Sequence, residues 1–435
     1  ADVDPPTDAP TCAAGDEETI AAEAPEEVAS PGGPRQAEEE EGAYGGSASS
    51  VTEAEAAEVP SRRRQRPEEG LEDLWEFVVQ GRLSAPDETE GAQKGVTCFP
   101  AGALERLNAR NVCFVCARGR RLDAAAPNQD DLLLAMCRCQ GDGRVSLYGV
   151  FDGHGPSGHQ CAAYARGFLP ERIFGDAALL SQPEEVLRSA FREAHQGLLE
   201  RDGAAPAHEG RASGTTATVA LVLELPRCLA ARDGALERCG DAAAQGAGTW
   251  VFIAHIGDSR AVLGSLLPER AADALPISAD DIEATALTRE HRPDDVEEAQ
   301  GIRDRGGEVR KLSGRSASRV FIPGRSQPGL ALTRVLGDTA DPGGGFGVSS
   351  EPDVVSHLVR PGQDQMLLLG TDGFFEFCPP QEAFLQLLQQ GASASVLEAL
   401  CSESRRRWAK NSYNQTCDDA TAIAVSLIVP PPPAT

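Results

Sequence analysis

The chain has 435 residues, of which 41% are hydrophobic and 25% are charged, and its formal net charge is −27. This length allows two or three domains, and the acidity argues against a nucleic-acid-binding protein, which would normally present a basic face. We find no apolar segment near the start that resembles a signal peptide, and no run of about 18 apolar residues that could span a bilayer. We therefore expect an intracellular protein, in the cytoplasm, the nucleus or both, with reduced cysteines.

Residues 1–70 are predicted to be a disordered acidic tail. Residues 1–60 contain 16 Asp and Glu against one basic residue, Arg35, and have almost no large apolar side chains. Such a segment cannot bury enough surface to offset the entropy of ordering it. A basic cluster follows at Ser61–Arg66, which we interpret as a solvated charge run; the alternative is a nuclear-import or docking signal. The acidic tail offers a binding segment for a basic partner.

Residues 71–95 are predicted to form a short helix and a linker. Apolar residues recur at near-helical spacing over Leu71–Leu83 (LEDLWEFVVQGRL), which favours an amphipathic helix. From Val96 onward the sequence contains short apolar runs bounded by Gly, Pro and Asp. We place the main folded domain at residues 96–430.

Strands and helices alternate in groups along this domain. Strands are predicted at Val145–Phe151, Thr216–Leu225, Trp250–Ile256, Ala261–Leu263, Met366–Leu369 and Ala422–Val429. Helices are predicted at Gln160–Leu169, Pro183–Glu200, Pro293–Arg305, Pro380–Gln390 and Ala394–Ala409. Two stretches without periodicity, Pro226–Gly248 and Pro268–Thr285, are predicted to be inserted loops. The pattern indicates an α+β fold in which helices cover antiparallel sheets.

The densest chemical signal follows the strand that ends near Phe151. There Asp152 is followed by Gly153 and His154. A carboxylate at a strand end is a firmly placed oxygen ligand for Mg²⁺ or Mn²⁺, a glycine lets the backbone approach an ion, and a histidine can donate a proton. A dinucleotide-binding loop, Gly-x-Gly-x-x-Gly from Gly153 to Gly158, is the alternative, but Asp152 would place negative charge where a pyrophosphate binds.

Other aspartates stand at comparable positions. Asp130 precedes an apolar run, Asp258 follows the strand at Trp250–Ile256, Asp372 follows Leu367–Gly370, and Asp418 precedes the last strand. One aspartate at a strand end is usually a turn residue, but several can converge at one end of a pair of sheets. A site rich in Asp and poor in His favours hard divalent ions over zinc.

Seven motifs follow one another along the chain. They are Phe151–Gly155 (FDGHG), Ser213–Ala217 (SGTTA), Gly257–Arg260 (GDSR), Leu287–Pro293 (LTREHRP), Gly329–Asp338 (GLALTRVLGD), Glu351-Pro352 and Thr371–Glu376 (TDGFFE). In this order they resemble the type 2C family of metal-dependent serine/threonine protein phosphatases, the PPM group. The resemblance implies two packed antiparallel β-sheets, a β-sandwich, flanked by α-helices.

The resemblance also implies a function. It points to hydrolysis of phosphoserine and phosphothreonine in proteins by metal-activated water, without a phosphoenzyme intermediate. The partners would be phosphoprotein substrates, and we expect a monomer. The alternative is a catalytically inactive phosphatase-fold scaffold that binds partner proteins. Loss of the metal-binding aspartates would favour that alternative, whereas the sequence retains them.

The site residues can be carried over from the family one by one. The resemblance places these residues around two Mg²⁺ or Mn²⁺ ions and a weaker third: Asp130, Asp152, Gly153, Asp258, Asp372 and Asp418. Asp152 would bridge two ions, Gly153 would lend its carbonyl, and Asp258 would help to hold the third ion. Asp372 and Asp418 would bind one ion, with Asp130 close by. His154 is similar to the family's proposed general acid.

Three departures from the family pattern affect this assignment. Ala125 and Gln129 stand where many members have an Arg and a Glu, so Arg121 becomes the candidate for the phosphate contact, with Arg118 or Arg120 as alternatives. Asp419 replaces a common Asn and adds a negative charge that either raises metal affinity or faces solvent. His255 also replaces an Asn, and its apolar strand neighbours favour a structural role.

Overall fold

The computed structural model describes residues 75–82, 89–121, 126–138, 143–202, 213–225, 248–268, 276–311, 317–326, 329–338 and 345–428. The tail predicted at residues 1–70 and residues 226–247 of the first predicted loop lie outside these ranges. None of the helices within the ranges is long and apolar enough to cross a membrane.

The described residues form sixteen strands and seven helices. The strands are β1 (Trp75–Gly81), β2 (Val96–Phe99), β3 (Val112–Ala117), β4 (Asp130–Arg138), β5 (Arg144–His154), β6 (Gly214–Thr215), β7 (Ala217–Leu225), β8 (Gly248–Ile256), β9 (Arg260–Leu266), β10 (Ile282–Ala286), β11 (Glu308–Lys311), β12 (Ser318–Phe321), β13 (Leu336–Gly337), β14 (Asp353–Leu358), β15 (Asp364–Gly370) and β16 (Ala420–Ser426). The helices are α1 (Ala103–Ala109), α2 (Gly158–Phe174), α3 (Pro183–Asp202), α4 (Val296–Asp304), α5 (Asp372–Phe375), α6 (Pro380–Gln390) and α7 (Ala394–Asn411).

Two antiparallel sheets form the centre of the fold. The first has the main strand order β14-β8-β7-β5-β4-β1-β2, with β6 and β13 attached beside β5. The second has the order β10-β9-β15-β16-β3. β4 and β7, the neighbours of β5 in the sheet, are both antiparallel to β5. This arrangement excludes the parallel βαβ unit that a dinucleotide-binding loop after β5 would require.

The two sheets pack face to face between two layers of helices. Successive side chains of a strand point to opposite faces, so Leu133 of β4 contacts the layer of α2 and α3 while Leu132 and Leu134 contact the second sheet. On the outer face of the second sheet, Leu368 packs with Phe384 of α6. A strand covered on both faces is apolar throughout, which is why β4 shows no alternation. The predicted α+β sandwich is confirmed.

The predicted helix at Leu71–Leu83 is wrong. Trp75–Gly81 form β1, which pairs with β4 on one side and β2 on the other. The periodicity of a short apolar run does not distinguish a helix from a strand. Here the segment forms a strand because it pairs with the edge of β4, which buries Val79 completely between the sheets. The folded domain therefore begins no later than Trp75, so the predicted boundary at Val96 is also wrong.

The second predicted loop, Pro268–Thr285, is wrong in its last part, and its residues 269–275 lie outside the described ranges. Residues 279–281 form one turn of 3₁₀ helix and Ile282–Ala286 form β10, which pairs with β9 at the edge of the second sheet. Ile282 is buried against the layer of α6 and α7. The sequence of β10 shows no clear alternation of apolar and polar residues, because Ile282 is its only buried side chain.

A small unit stands beside the two sheets. β11 and β12 form a hairpin that packs with α4, and Ile302, Val320 and Phe346 make up its own core. We call α4, β11, β12 and residues 345–348 the hairpin unit. Arg319 and Phe346 of this unit line a cleft at the end of the sandwich, so the unit forms one wall of that cleft.

Candidate active site

Five aspartates converge at this end of the sandwich because each lies where an element of the sheets begins or ends. Asp130 begins β4 and is directly paired with Asp152 of β5. Asp258 lies in the turn between β8 and β9, Asp372 begins α5 just after β15, and Asp418 lies just before β16. The topology therefore brings together all five aspartates that the sequence singled out.

The distances between these side chains suit a shared cation. Carboxylate oxygens of Asp152, Asp258 and Asp372 lie within 4.8 Å of one another. Asp418 lines the same cleft, whose volume is about 300 Å³. Asp130 lies behind Asp152, and its Oδ2 accepts a hydrogen bond of 2.8 Å from the Thr371 hydroxyl.

The cluster is electrostatically unfavourable without a cation. Burial, followed by the charges of neighbouring aspartates, raises the pKa values of Asp130 and Asp152 well above their ordinary range. Burial and the same kind of repulsion raise the pKa values of Asp372 and Asp418 to about 7. Carboxyl groups in this state gain most from a divalent ion, because it favours the ionised form that burial disfavours.

The residues present fit Mg²⁺ or Mn²⁺. The donors are carboxylate oxygens, which hard divalent ions prefer. Asp372 Oδ1 is buried and accepts no hydrogen bond within the part of the chain that the structure describes. Such an unsatisfied buried oxygen calls for an explanation such as an ion.

Gly153 is required by close packing next to Asp152. A Cβ atom on Gly153 would lie 2.3 Å from the carbonyl oxygen of Gly158 and 2.7 Å from that of Gln129. Both atoms belong to the backbone and cannot move aside. A residue with a side chain is therefore excluded at this position next to the cluster, and the predicted role of the Gly153 carbonyl as a ligand stays a prediction.

His154 forms a pair with a residue that the sequence had not singled out. Its Nε2 lies 2.5 Å from Oδ2 of Asp338. Burial alone would lower the pKa of His154, but the charge and hydrogen bond of Asp338 outweigh it and raise that pKa. A Cβ atom on Gly214 would lie 2.8 Å from Asp338 Oδ2 and 3.0 Å from His154 Nε2, so a glycine is needed beside the pair.

Comparisons with known proteins agree with this geometry. Residues 127–418 match the family described as protein phosphatase 2C. The chain belongs to this family. It is 27% identical over 361 residues to the probable protein phosphatase 2C 35 of Arabidopsis thaliana, covering 80% of this chain and 93% of that protein. It is 30% identical over 348 residues to the probable protein phosphatase 2C 12 of Oryza sativa subsp. japonica, covering 74% and 83%.

The fold of a solved phosphatase is similar as well. The crystal structure of a serine-threonine phosphatase 2C from Toxoplasma gondii superposes with a TM-score of 0.53 at 18% identity, covering 80% of this chain and 98% of that one. The family resemblance stated from the motifs is thus confirmed. At this level of identity the solved structure supports the fold of this phosphatase 2C, and its site must be argued from its own residues.

Arg121 is the arginine that the fold of this phosphatase brings to the aspartates. Its Nη2 donates to Asp418 Oδ1 at 3.1 Å and to Asp419 Oδ2 at 2.7 Å. Arg118 instead donates to the carbonyl of Ala126, and Arg120 pairs with Glu90 on the surface. Arg121 is thus the sequence candidate with a described contact to an aspartate of the cluster, Asp418.

Asp419 does not face solvent, which rules out one of its two expected roles. It is 1% exposed, and its carboxylate accepts hydrogen bonds from the backbone N–H groups of Gly119 and Gln129 and from Arg121. The backbone bonds of 2.6 and 2.8 Å fasten the segments before and after residues 122–125 to the start of β16. Asp419 therefore positions Arg121 and the strand that begins with Asp130.

Arg292 is a second arginine at the cluster, and sequence reasoning missed it. Its Nη2 lies 3.0 Å from Asp258 Oδ2 and 3.9 Å from Asp372 Oδ2, while its Nε lies 2.8 Å from Glu290. The signal was present in the Glu290–Pro293 motif, but nothing in the spacing shows which carboxylates the arginine reaches. Arg292 neutralises one side of the cluster while Arg121 neutralises the other.

His255 has the structural role that its neighbours indicated. It is fully buried, with its ring nitrogens 2.8 Å from the Thr218 hydroxyl and 2.9 Å from the carbonyl of Arg289. Burial, then the nearby His291, lowers its pKa to about 3. The two rings stack with centroids 4.8 Å apart, and His291 Nδ1 accepts a hydrogen bond from the backbone N–H of Gly257. The pair thereby supports the turn that carries Asp258.

Proposed function

We propose that this phosphatase 2C is an active enzyme that hydrolyses phosphoserine and phosphothreonine in proteins, without a phosphoenzyme intermediate. The observation that carries the proposal is the cluster itself, in which oxygens of three aspartates lie within 4.8 Å of one another in a cleft. An inactive scaffold, the alternative, has no need to keep mutually repelling buried carboxylates. Groups that lower stability in this way are usually retained for function.

The metal site is proposed to contain two Mg²⁺ or Mn²⁺ ions and a weaker third. The residues proposed to hold them are Asp130, Asp152, Asp258, Asp372, Asp418 and the main chain at Gly153. When bound, such ions supply a water of lowered pKa and stabilise charge on the attacking and leaving oxygens. The protein's part is to fix the carboxylates in place, as Thr371 does for Asp130 and Arg292 does for Asp258.

His154 and Arg121 are proposed to act on the phosphate ester itself. The raised pKa of His154 favours the protonated ring, which can donate to the leaving oxygen, and Asp338 fixes the orientation of the ring. The hydrogen bonds that Arg121 makes within the described residues use Nη2 alone, and its Nε is buried without a partner. These contacts place the guanidinium of Arg121 beside the cluster, where an arginine can donate to a phosphoryl oxygen.

Release of phosphate from a phosphothreonine peptide tests the proposal. The protein is stripped of metal and assayed before and after addition of Mn²⁺ or Mg²⁺, beside Asp152→Asn and the surface control Asp304→Asn. We expect activity that depends on added metal, that survives in the control, and that falls by at least about 100-fold in Asp152→Asn, because metal catalysis supplies most of the rate. No activity with either ion would favour the scaffold.

We also propose an intracellular location, in the cytoplasm, the nucleus or both. Eight cysteines among the described residues are free thiols, and burial raises the pKa of Cys113 to about 12. Unpaired thiols are the rule in reducing compartments. Imaging of the fluorescently tagged full chain tests this location, and recovery of the protein from the secreted fraction would contradict it.

A further inference from the structure

The sequence from the end of α4 to the residues just after β12 has an unusual concentration of positive charge for so acidic a protein. Residues 303–325 contain seven Lys and Arg against two Asp and Glu, in a chain of net charge −27. The acidic residues of α4 that precede this stretch are engaged elsewhere: Glu298, for example, binds Arg289 and Arg334. Neither Glu297 nor Glu298 of this helix therefore compensates the positive charge of the hairpin.

Two arginines of this stretch face each other across the hairpin. Arg310 of β11 is directly paired with Arg319 of β12, so the two side chains emerge on the same face. Like charges in this position destabilise a hairpin. Val309 and Val320, one residue away, point to the other face and pack in the core of the unit, so the register cannot slip to separate the arginines.

The two arginines differ in what they contact. Arg310 lies over the ring of Phe321 at 4.0 Å and beside Glu308 at 3.2 Å, so its charge is matched locally. Arg319 donates to the carbonyl of Gly329 at 3.4 Å, and no carboxylate among the described residues pairs with it. A charged group without a charged partner beside a binding cleft is a candidate for ligand contact.

Arg319 lines the same cleft as the aspartate cluster. His154 is the other cationic side chain of that lining, and it is already bonded to Asp338. Arg319 enters the cleft from the hairpin unit, whereas Asp152, Asp258 and Asp372 enter it from the two sheets. A phosphoryl group held at the cluster would thus leave Arg319 beside the peptide that carries it.

We propose that Arg319 is a specificity residue that binds an acidic side chain next to the phosphorylated residue of the substrate. The proposal rests on the phosphatase function proposed above and adds a substrate class, phosphoproteins whose phosphorylated Ser or Thr is flanked by Asp or Glu. Charge complementarity supports this role: a guanidinium that has no carboxylate partner among the described residues can form a forked contact with a carboxylate of the substrate, in a chain whose overall negative charge would otherwise repel such substrates.

The test compares three phosphothreonine peptides that differ only in their flanking residues, which are Glu, Gln or Lys. With the full chain and Mn²⁺ or Mg²⁺ present, we expect kcat/KM for the Glu peptide to exceed that for the Gln peptide by about tenfold, mainly through KM, and to fall as salt is raised. Arg319→Gln should reduce this ratio to about two or less, while Arg319→Lys retains part of it. Arg310→Gln removes the same charge from the same hairpin and should leave the ratio unchanged.

Several outcomes would overturn the inference while leaving the phosphatase function intact. One is hydrolysis of all three peptides without preference. A second is an equal loss on all three peptides in Arg319→Gln, which would assign the arginine to the phosphoryl group. A third is absence of preference together with inhibition by a synthetic peptide of residues 36–42 (QAEEEEG), which would assign it to the chain's own acidic segment. Failure to hydrolyse any peptide or an aryl phosphate would instead reject the proposed function.

Discussion

Replacing Asp372 by Asn should stabilise the metal-free protein at alkaline pH. Burial, followed by the charge of Asp258, raises the pKa of Asp372 from 3.8 to about 7. A carboxyl group whose pKa is raised on folding contributes stability at low pH and loses it as the pH rises through the folded-state value. Above pH 7 the ionised group therefore destabilises the fold, and Asn, which has nearly the same shape and no charge, removes this effect.

The magnitude follows from the size of the shift. A change from 3.8 to about 7 corresponds to about 4 kcal/mol of unfolding free energy at ~1.4 kcal/mol per pH unit. The side chain of Asp372 is 22% exposed, so solvent screens part of the repulsion and about 2 kcal/mol is expected. The sign is opposite to that of most substitutions, which lower stability by ~0.5–3 kcal/mol.

Urea unfolding in EDTA at pH 4 and pH 8 measures this effect as a difference between variant and wild type. The difference matters because His255, with a pKa lowered to about 3, makes the stability of both proteins rise with pH over part of the same range. The advantage of Asp372→Asn over wild type should be small near pH 4, close to the pKa of the unfolded chain, and should reach its full size by pH 8. Glu283→Gln, an exposed change on β10, should show no such dependence.

Adding Mg²⁺ at pH 8 should reverse the order of the two proteins, because an ion that binds only the folded state stabilises the protein with the intact site. Two results would refute the reasoning. One is a variant that is less stable than wild type at pH 8 in EDTA. The other is a difference of the same size at both pH values, which would point to packing and not to ionisation.

Three further substitutions test the surroundings of the cluster. Asp419→Asn should lower the free energy of unfolding by about 2 kcal/mol, measured by urea midpoint, because bonds from three donors to a buried carboxylate are weakened. Arg292→Gln should raise the affinity for the most weakly bound divalent ion by about tenfold in titration calorimetry, because a competing cation is removed. Arg289→Gln is the matched control, and an unchanged affinity in Arg292→Gln would contradict the prediction. Asp338→Asn should lower the pKa of His154, followed by NMR titration of the metal-free protein; an unchanged value would exclude Asp338 as the cause.

The aspartate cluster could be predicted from sequence because its geometry is a consequence of topology. Asp152 and Asp372 each follow a buried strand and precede a glycine, and antiparallel strands that end at one edge of a sandwich bring such residues together. The chemistry of the ligands was readable from residue type alone. The local pattern around each aspartate therefore sufficed, without knowledge of any single contact.

The first strand could not be predicted in the same way. The apolar residues of Trp75–Gly81 fit either period, and the choice depends on a partner strand more than 50 positions further along, at β4. Val79 pairs with Leu134 in that register. When pairing with a distant strand decides whether a segment is helix or strand, the local sequence does not reveal the outcome, because tertiary pairing overrides intrinsic propensity.

The partners of the cluster were equally hidden, because they come from remote segments. His154 and Asp338 are 184 positions apart, and Arg121 and Asp418 are 297 positions apart. Arg121 was identified from sequence as a phosphate ligand, but in the fold it is first a counter-ion. Converging carboxylates that are ionised before any ion arrives are stabilised by cations that lie against them, and Arg121 and Arg292 contact the cluster at Asp418 and at Asp258. These contacts thus stabilise the fold, and any contact with substrate or metal is added to that role.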